Sequence, residues 1–126
     1  NGSPAADSVP AMFAAGVSVS VIGPDGTRQV PVEQIPAGPG KTKLAKGELI
    51  SAVHIPARGA GGGDAYLRFI PRTEMDIAVV GCSGNLRVEG DTITEARVSL
   101  GAVAPTVMLV EDGANALIGS NLTEAA

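Results

Sequence analysis

Residues 77–103 read IAVVGCSGNLRVEGDTITEARVSLGAV. Two runs rich in apolar and β-branched residues flank Glu89-Gly90-Asp91, a triplet suited to a tight reversal. The stretch reads as two long strands folded into a hairpin, and a hairpin is antiparallel by construction. It is the anchor for reading the rest of the chain.

Upstream, AYLRFIP (65–71) is a short strand, followed by a polar knot, RTEMD (Arg72–Asp76). Before it, ARGAGGG (Ala57–Gly63) reads as a flexible loop and the best boundary between two parts of the chain. ELISAVHIP is a strand closed by Pro56, and VEQIPAGPGKTKLAKG (32–47) is irregular. VSVSVIG (17–23) alternates as a half-buried strand does. Pro24-Asp25-Gly26 is a turn and TRQVPV the returning strand, so Val17–Val32 is a second hairpin. The start, NGSPAADSVPAMFAAG, is a small-residue loop running into a helix over Val9–Ala15. Asp7 or Ser8 can cap that helix, Pro10 suits its first turn and Gly16 stops it. Downstream, Pro105 breaks the strand pattern and Glu111–Ile118 forms a short amphipathic helix. Ser120 or Asn121 can cap another helix opening at LTEAA. Both ends are expected to be cut: the chain enters a loop in mid-course and stops on a single helical turn.

Composition narrows the function classes. The chain has 126 residues, one domain's worth, and 44% of them are apolar, enough for a modest core. Aromatics are only 2% and the net charge is −4, which argues against nucleic acid as a partner. No apolar run is long enough to span a bilayer and no secretory signal is evident. A single cysteine, Cys82, excludes an intrachain disulfide and points to the reducing cytoplasm.

Few motifs carry chemistry on their own. GPGKT (Gly38–Thr42) is similar to a phosphate-binding loop, but the position that needs glycine is Ile35 and no helix pattern follows, so it reads as a turn with solvated lysines. His54 has no second histidine to form a metal site, and Cys82 reads as a small core residue. Arg72, Glu74 and Asp76 form either an ion-pair corner or a polar rim over a ligand, and Arg68 can join either. The opening loop is the best site candidate, because small residues let backbone N–H groups approach a ligand closely. Asp7 can cap the helix or accept hydrogen bonds from ligand hydroxyls, capping being favoured by the residues alone.

The blocks SPAADS, GPGKT, ELI…IP, R-x-E-x-D-IA and LGAVAP occur in an order that resembles the FAD-binding, or medium, subunit of the molybdenum hydroxylases, the family of xanthine dehydrogenase and aerobic carbon monoxide dehydrogenase. The resemblance covers nearly the whole chain. It implies an α+β fold: the end of an α/β FAD-binding subdomain over residues 1–56, then an antiparallel sheet with helices over 64–126, like the CO dehydrogenase flavoprotein C-terminal domain. It implies FAD between these parts. Ser3 and Asp7 would touch the cofactor, with Asp7 the hydroxyl acceptor. Ile50 would pack near the isoalloxazine ring, Arg68 would be the basic residue near the flavin, and Arg72 and Asp76 would shape the flavin-side corner.

The implied activity is that of an oxidoreductase subunit passing electrons from iron–sulfur clusters through FAD to an external acceptor. The implied partners are a molybdopterin-binding large subunit and a 2Fe-2S small subunit. One cysteine cannot ligate a cluster, so those centres belong to the partners. No catalytic or metal-ligating residue is expected in this chain, and on its own it is expected to be inactive and to hold FAD weakly. Two alternatives stand beside this reading: a truncated, non-catalytic module that self-associates as a homodimer, and a stand-alone small-molecule binder using the opening loop.

Overall fold

The computed structural model describes residues 2–73, 75–121 and 123. The fold is α+β, with two α-helices and three antiparallel sheets among the described residues. Helix α1 spans Ser8–Ala14. Strands β1 (Ser18–Gly23) and β2 (Gly26–Pro31) form the hairpin expected around Pro24-Asp25-Gly26. Val19 and Val21 point into the core while Ser18 and Ser20 face outward, the period-2 alternation of a half-buried strand. Strand β5 (Leu49–His54) pairs with the other edge of β1, giving the order β2-β1-β5.

Residues 32–47 are more ordered than their sequence suggests. A 3-10 turn over Val32–Gln34 leads into a small hairpin of β3 (Pro36–Gly38) and β4 (Lys41–Thr42). The GPGKT motif is this hairpin's turn, with Lys41 and Lys43 exposed and no helix behind it. Buried Ile35 occupies the position where a phosphate loop needs glycine.

The second sheet has the order β6-β7-β8-β9: Gly62–Phe69, Val80–Glu89, Thr92–Gly101 and Met108–Leu109. Strand β6 takes in the last two glycines of the expected loop, because Gly62 and Gly63 pair with Arg87 and Leu86. The long β7–β8 hairpin reverses at Gly90-Asp91 and carries an irregularity at Arg87/Val88. Helix α2 (Glu111–Leu117) packs on β8, with acidic residues in its first turn, where the helix dipole favours them. The helix expected from LTEAA falls outside the described residues.

Cys82 corrects its sequence reading: it is exposed. It lies between Leu67 and Leu100 on the face of the sheet away from α1's contacts at Ser99 and Gly101, so an apolar neighbourhood in sequence did not mean burial. Among the described residues no helix is long and apolar enough to cross a membrane.

Two halves meet at α1. The helix belongs to the first half by sequence, yet it packs across β6, β7, β8 and β9. Phe13, Val17, Val19, Val21, Val32 and Ile35 form the core together with Val107 from the second half.

Candidate functional site

Strand β8 presents Arg97, Ser99 and Gly101 to α1 at alternate positions, and each does something different. At Gly101 an added Cβ would sit 2.6 Å from the Pro10 ring, so the bare backbone lets the helix lie close. The buried Ser99 hydroxyl donates to the Pro10 carbonyl at 2.6 Å. Arg97 donates to the last helical carbonyls, Phe13 (2.8 Å) and Ala14 (3.1 Å), and also to Glu33 (2.8 Å). It adds a second donor to the Phe13 carbonyl, which also accepts from Gly16 N–H (3.2 Å), pairs the Ala14 carbonyl, and places a cation at the negative pole of the helix.

Asp7 precedes this helix but does not cap it with its side chain. Its carboxylate instead accepts from Tyr66 Oη on Oδ1 (2.9 Å) and from Arg68 Nη1 on Oδ2 (2.8 Å). The capping role favoured by the residues alone is therefore corrected. Two donors on β6, fixed two residues apart on one face, outcompete the local backbone amides. Tyr66 also lies over a bare position, since a Cβ on Gly81 would be 2.6 Å from its hydroxyl. Burial, reinforced by the Asp7 carboxylate, pushes the Tyr66 phenol up to about 12.

The opening loop is pinned from both sides. Gly40 N–H donates to the Gly2 carbonyl (2.9 Å) and Ala102 N–H to the Pro4 carbonyl (2.8 Å). Gly2 has φ of 67° and its α-carbon faces the Lys41 backbone, where a Cβ would sit 2.7 Å from Lys41 N. Ser3 Oγ accepts from Ala5 N–H at 3.3 Å.

Beneath this loop opens a cavity of about 410 Å³. Its walls are mainly apolar: Val9 and Met12 of α1, Ile35, and Leu49, Ile50 and Val53 of β5. Pro105, Thr106 and Val107 close it from the second half of the chain. The volume lies within the roughly 300–1,000 Å³ typical of small-molecule sites. Glu48 sits at the edge with its charge already committed. Arg28 grips both its oxygens (3.0 and 2.9 Å) and Ala45 N–H adds a third bond (2.7 Å). The Arg28 hydrogen bonds and then the Ala45 amide hold its carboxyl down at about 2.

The six sequence-derived site residues thus fall into three places. Ser3 and Ile50 line the cavity. Asp7 and Arg68 form an ion pair on the seam between the halves. Arg72 and Asp76 form a two-pronged pair (3.0 and 2.7 Å) in the connection from β6 to β7, with Arg72 exposed and Asp76 largely covered. Glu74 lies outside the described residues. His54, on β5, shares a 2.6 Å hydrogen bond with Ser20 Oγ on the exposed face of the first sheet. Sequence reasoning missed Tyr66, Arg97 and Glu48. For Tyr66 a signal existed, since it stands two residues before Arg68 on one strand and therefore shares its face.

Residues 1–58 match the model of the FAD binding domain in molybdopterin dehydrogenase, and residues 65–126 match the CO dehydrogenase flavoprotein C-terminal domain. The chain belongs to the flavin-subunit family of the molybdenum hydroxylases. A family relative, the xanthine dehydrogenase FAD-binding subunit of Escherichia coli O157:H7, is 32% identical over 107 residues, covering 84% of this chain and 37% of its own length. The carbon monoxide dehydrogenase medium chain of Hydrogenophaga pseudoflava is 35% identical over 104 residues, covering 82% of this chain and 36% of its own. In three dimensions the chain superposes on carbon monoxide dehydrogenase from Hydrogenophaga pseudoflava with a TM-score of 0.90, at 32% identity, over 98% of this chain and 43% of that one. The chain thus spans less than half the length of the relatives it matches. The cofactor of this family is FAD.

Proposed function

We propose that this chain forms one wall of the FAD site in a molybdenum-hydroxylase flavin subunit, with residues 1–56 ending the FAD-binding subdomain and 64–126 forming the flavoprotein C-terminal domain. The observation that carries this is the apolar cavity under the opening loop, lined from both halves of the chain. Its walls suit a planar, largely apolar ring, and its few polar groups suit orientation rather than acid–base chemistry. Ile50 supports the ring and Ser3 the loop beside it. Asp7 accepts from ligand hydroxyls, since each of its oxygens keeps a lone pair beyond the bonds to Tyr66 and Arg68. Arg68 supplies positive charge, and the Arg72–Asp76 pair holds the flavin-side corner.

FAD, when bound, supplies the electron-accepting and electron-passing chemistry; the chain supplies position, charge and exclusion of water. In this reading electrons reach the flavin from the iron–sulfur clusters of a small subunit and leave to an external acceptor in the cytoplasm. Substrate chemistry belongs to the molybdopterin-binding large subunit. The test is FAD titration of the apoprotein, followed by quenching of flavin fluorescence. Ile50→Glu places a charge on the apolar wall of a half-exposed position. It should weaken binding roughly tenfold or more, with little change in Tm. Undiminished affinity would overturn the reading.

A second reading, self-association through the first sheet, draws on β5. All six of its residues are exposed, Leu49 at 56% and Val53 at 47%, and its outer edge carries no Lys, Arg, Asp or Glu. An unguarded apolar edge favours strand-to-strand pairing. Sedimentation decides it: a clean monomer at micromolar concentration rules this reading out.

A further inference from the structure

We infer that Tyr66 is a positioning residue for the flavin site, its hydroxyl holding the Asp7 carboxylate in register beside Arg68. The inference rests on the proposed reading of Asp7 as a flavin contact. A carboxylate on a short side chain has a broad, two-fold terminal torsion, so a single partner leaves its second oxygen free to swing. Here the two oxygens have separate donors on one strand: Tyr66 Oη on Oδ1 and Arg68 Nη1 on Oδ2. Together they fix the carboxylate plane and leave the remaining lone pairs pointing in set directions.

The fold makes room for this arrangement. The Tyr66 ring extends over Gly81, which pairs with Arg68 in the neighbouring strand, and no side chain stands beneath it. Asp7 makes no cap bond to α1 that would compete. The phenol, with its pKa raised, stays a proton donor across the whole physiological range. The second half of the chain thereby sets the geometry of a residue in the first.

The experiment is a double-mutant cycle on FAD affinity in the apoprotein, read by flavin fluorescence, with Tm measured on each variant without FAD. Asp7→Asn should weaken FAD roughly tenfold and Tyr66→Phe roughly fivefold, in line with charge-assisted hydrogen bonds. If Tyr66 acts through Asp7, the double variant binds no more weakly than Asp7→Asn alone. Gly81→Ala, which pushes the ring aside while keeping the hydroxyl, should reproduce the Tyr66→Phe loss. Multiplying effects in the double variant, or a silent Tyr66→Phe beside a weakened Asp7→Asn, would overturn the positioning role. A silent Asp7→Asn would instead overturn the reading of Asp7 as a contact, and the inference with it.

Discussion

The seam between α1 and β8 and the cavity wall on β5 lie in one small chain but are built on opposite principles. At the seam, close approach comes from the absent side chain at Gly101, and Asp7, Tyr66, Arg97 and Ser99 are each hydrogen-bonded. On β5, aliphatic side chains remain large, exposed and facing open volume. A surface that has found its contacts trades bulk for fit. A surface that we propose receives a ligand keeps its bulk. Equal changes in side-chain size should therefore have very unequal consequences in the two places.

The largest effect is expected at Gly101. Gly101→Val drives a branched side chain into the Pro10 ring, which cannot rotate away, and should cost about 3 kcal/mol in urea unfolding. A loss under 1 kcal/mol would show that α1 is not held tightly. Arg97→Ala comes next. It uncaps the Ala14 carbonyl, leaves the Phe13 carbonyl with only its Gly16 donor and strands Glu33, and should cost about 1–2 kcal/mol after allowing for the exposure of the guanidinium. Arg97→Lys, lacking the planar fork, should recover only part of this by the same assay. On the cavity side, Ile50→Ala should lower stability by less than about 1 kcal/mol, because the side chain is already half in water, while it weakens FAD. A core-like cost at Ile50 would erase the contrast.

The ionisable groups sharpen the same comparison through pH. Glu48 has its pKa lowered from 4.5 to about 2 in the folded chain. Its contribution is therefore complete above pH 4.5 and is lost as pH falls towards 2. Tyr66 runs the other way: raised from 10.0 to about 12, it contributes fully below pH 10 and loses that contribution as pH climbs to 12. Glu48→Gln should flatten the acid limb of a Tm–pH profile and Tyr66→Phe the alkaline limb. Profiles unchanged in shape would contradict these assignments.

The strands and their hairpins were legible because their signals are local. Val19 and Val21 alternate with serines, and Gly90-Asp91 and Pro24-Asp25 mark reversals within a few residues. The small hairpin at 36–42 was hidden because its strands are two and three residues long, too short for any period to show. Cys82 misled because alternation says which residues share a face but not which face is covered. Asp7 misled for a related reason: helix capping is visible in sequence, whereas donors fifty-nine and sixty-one residues away are not. Within the candidate site, Ser3 and Ile50 come together on one cavity. That Tyr66 shares a strand face with Arg68 is readable from spacing, but its bond to Asp7 and the room that Gly81 leaves its ring emerge only in the fold.

Arg97 completes a helix that lies 83 and 84 residues earlier in the chain. A helix of seven residues cannot persist by itself in water, because nucleation costs more than so few turns return. We expect α1 to order only after the β7–β8 hairpin has formed and presented its face, making this docking a late step that waits on closure of a long loop. Pulse-labelled hydrogen exchange should show β7 and β8 amides protected before those of α1, and the reverse order would refute this. The opening loop, tethered to that helix, would then be the last part of the site to take shape.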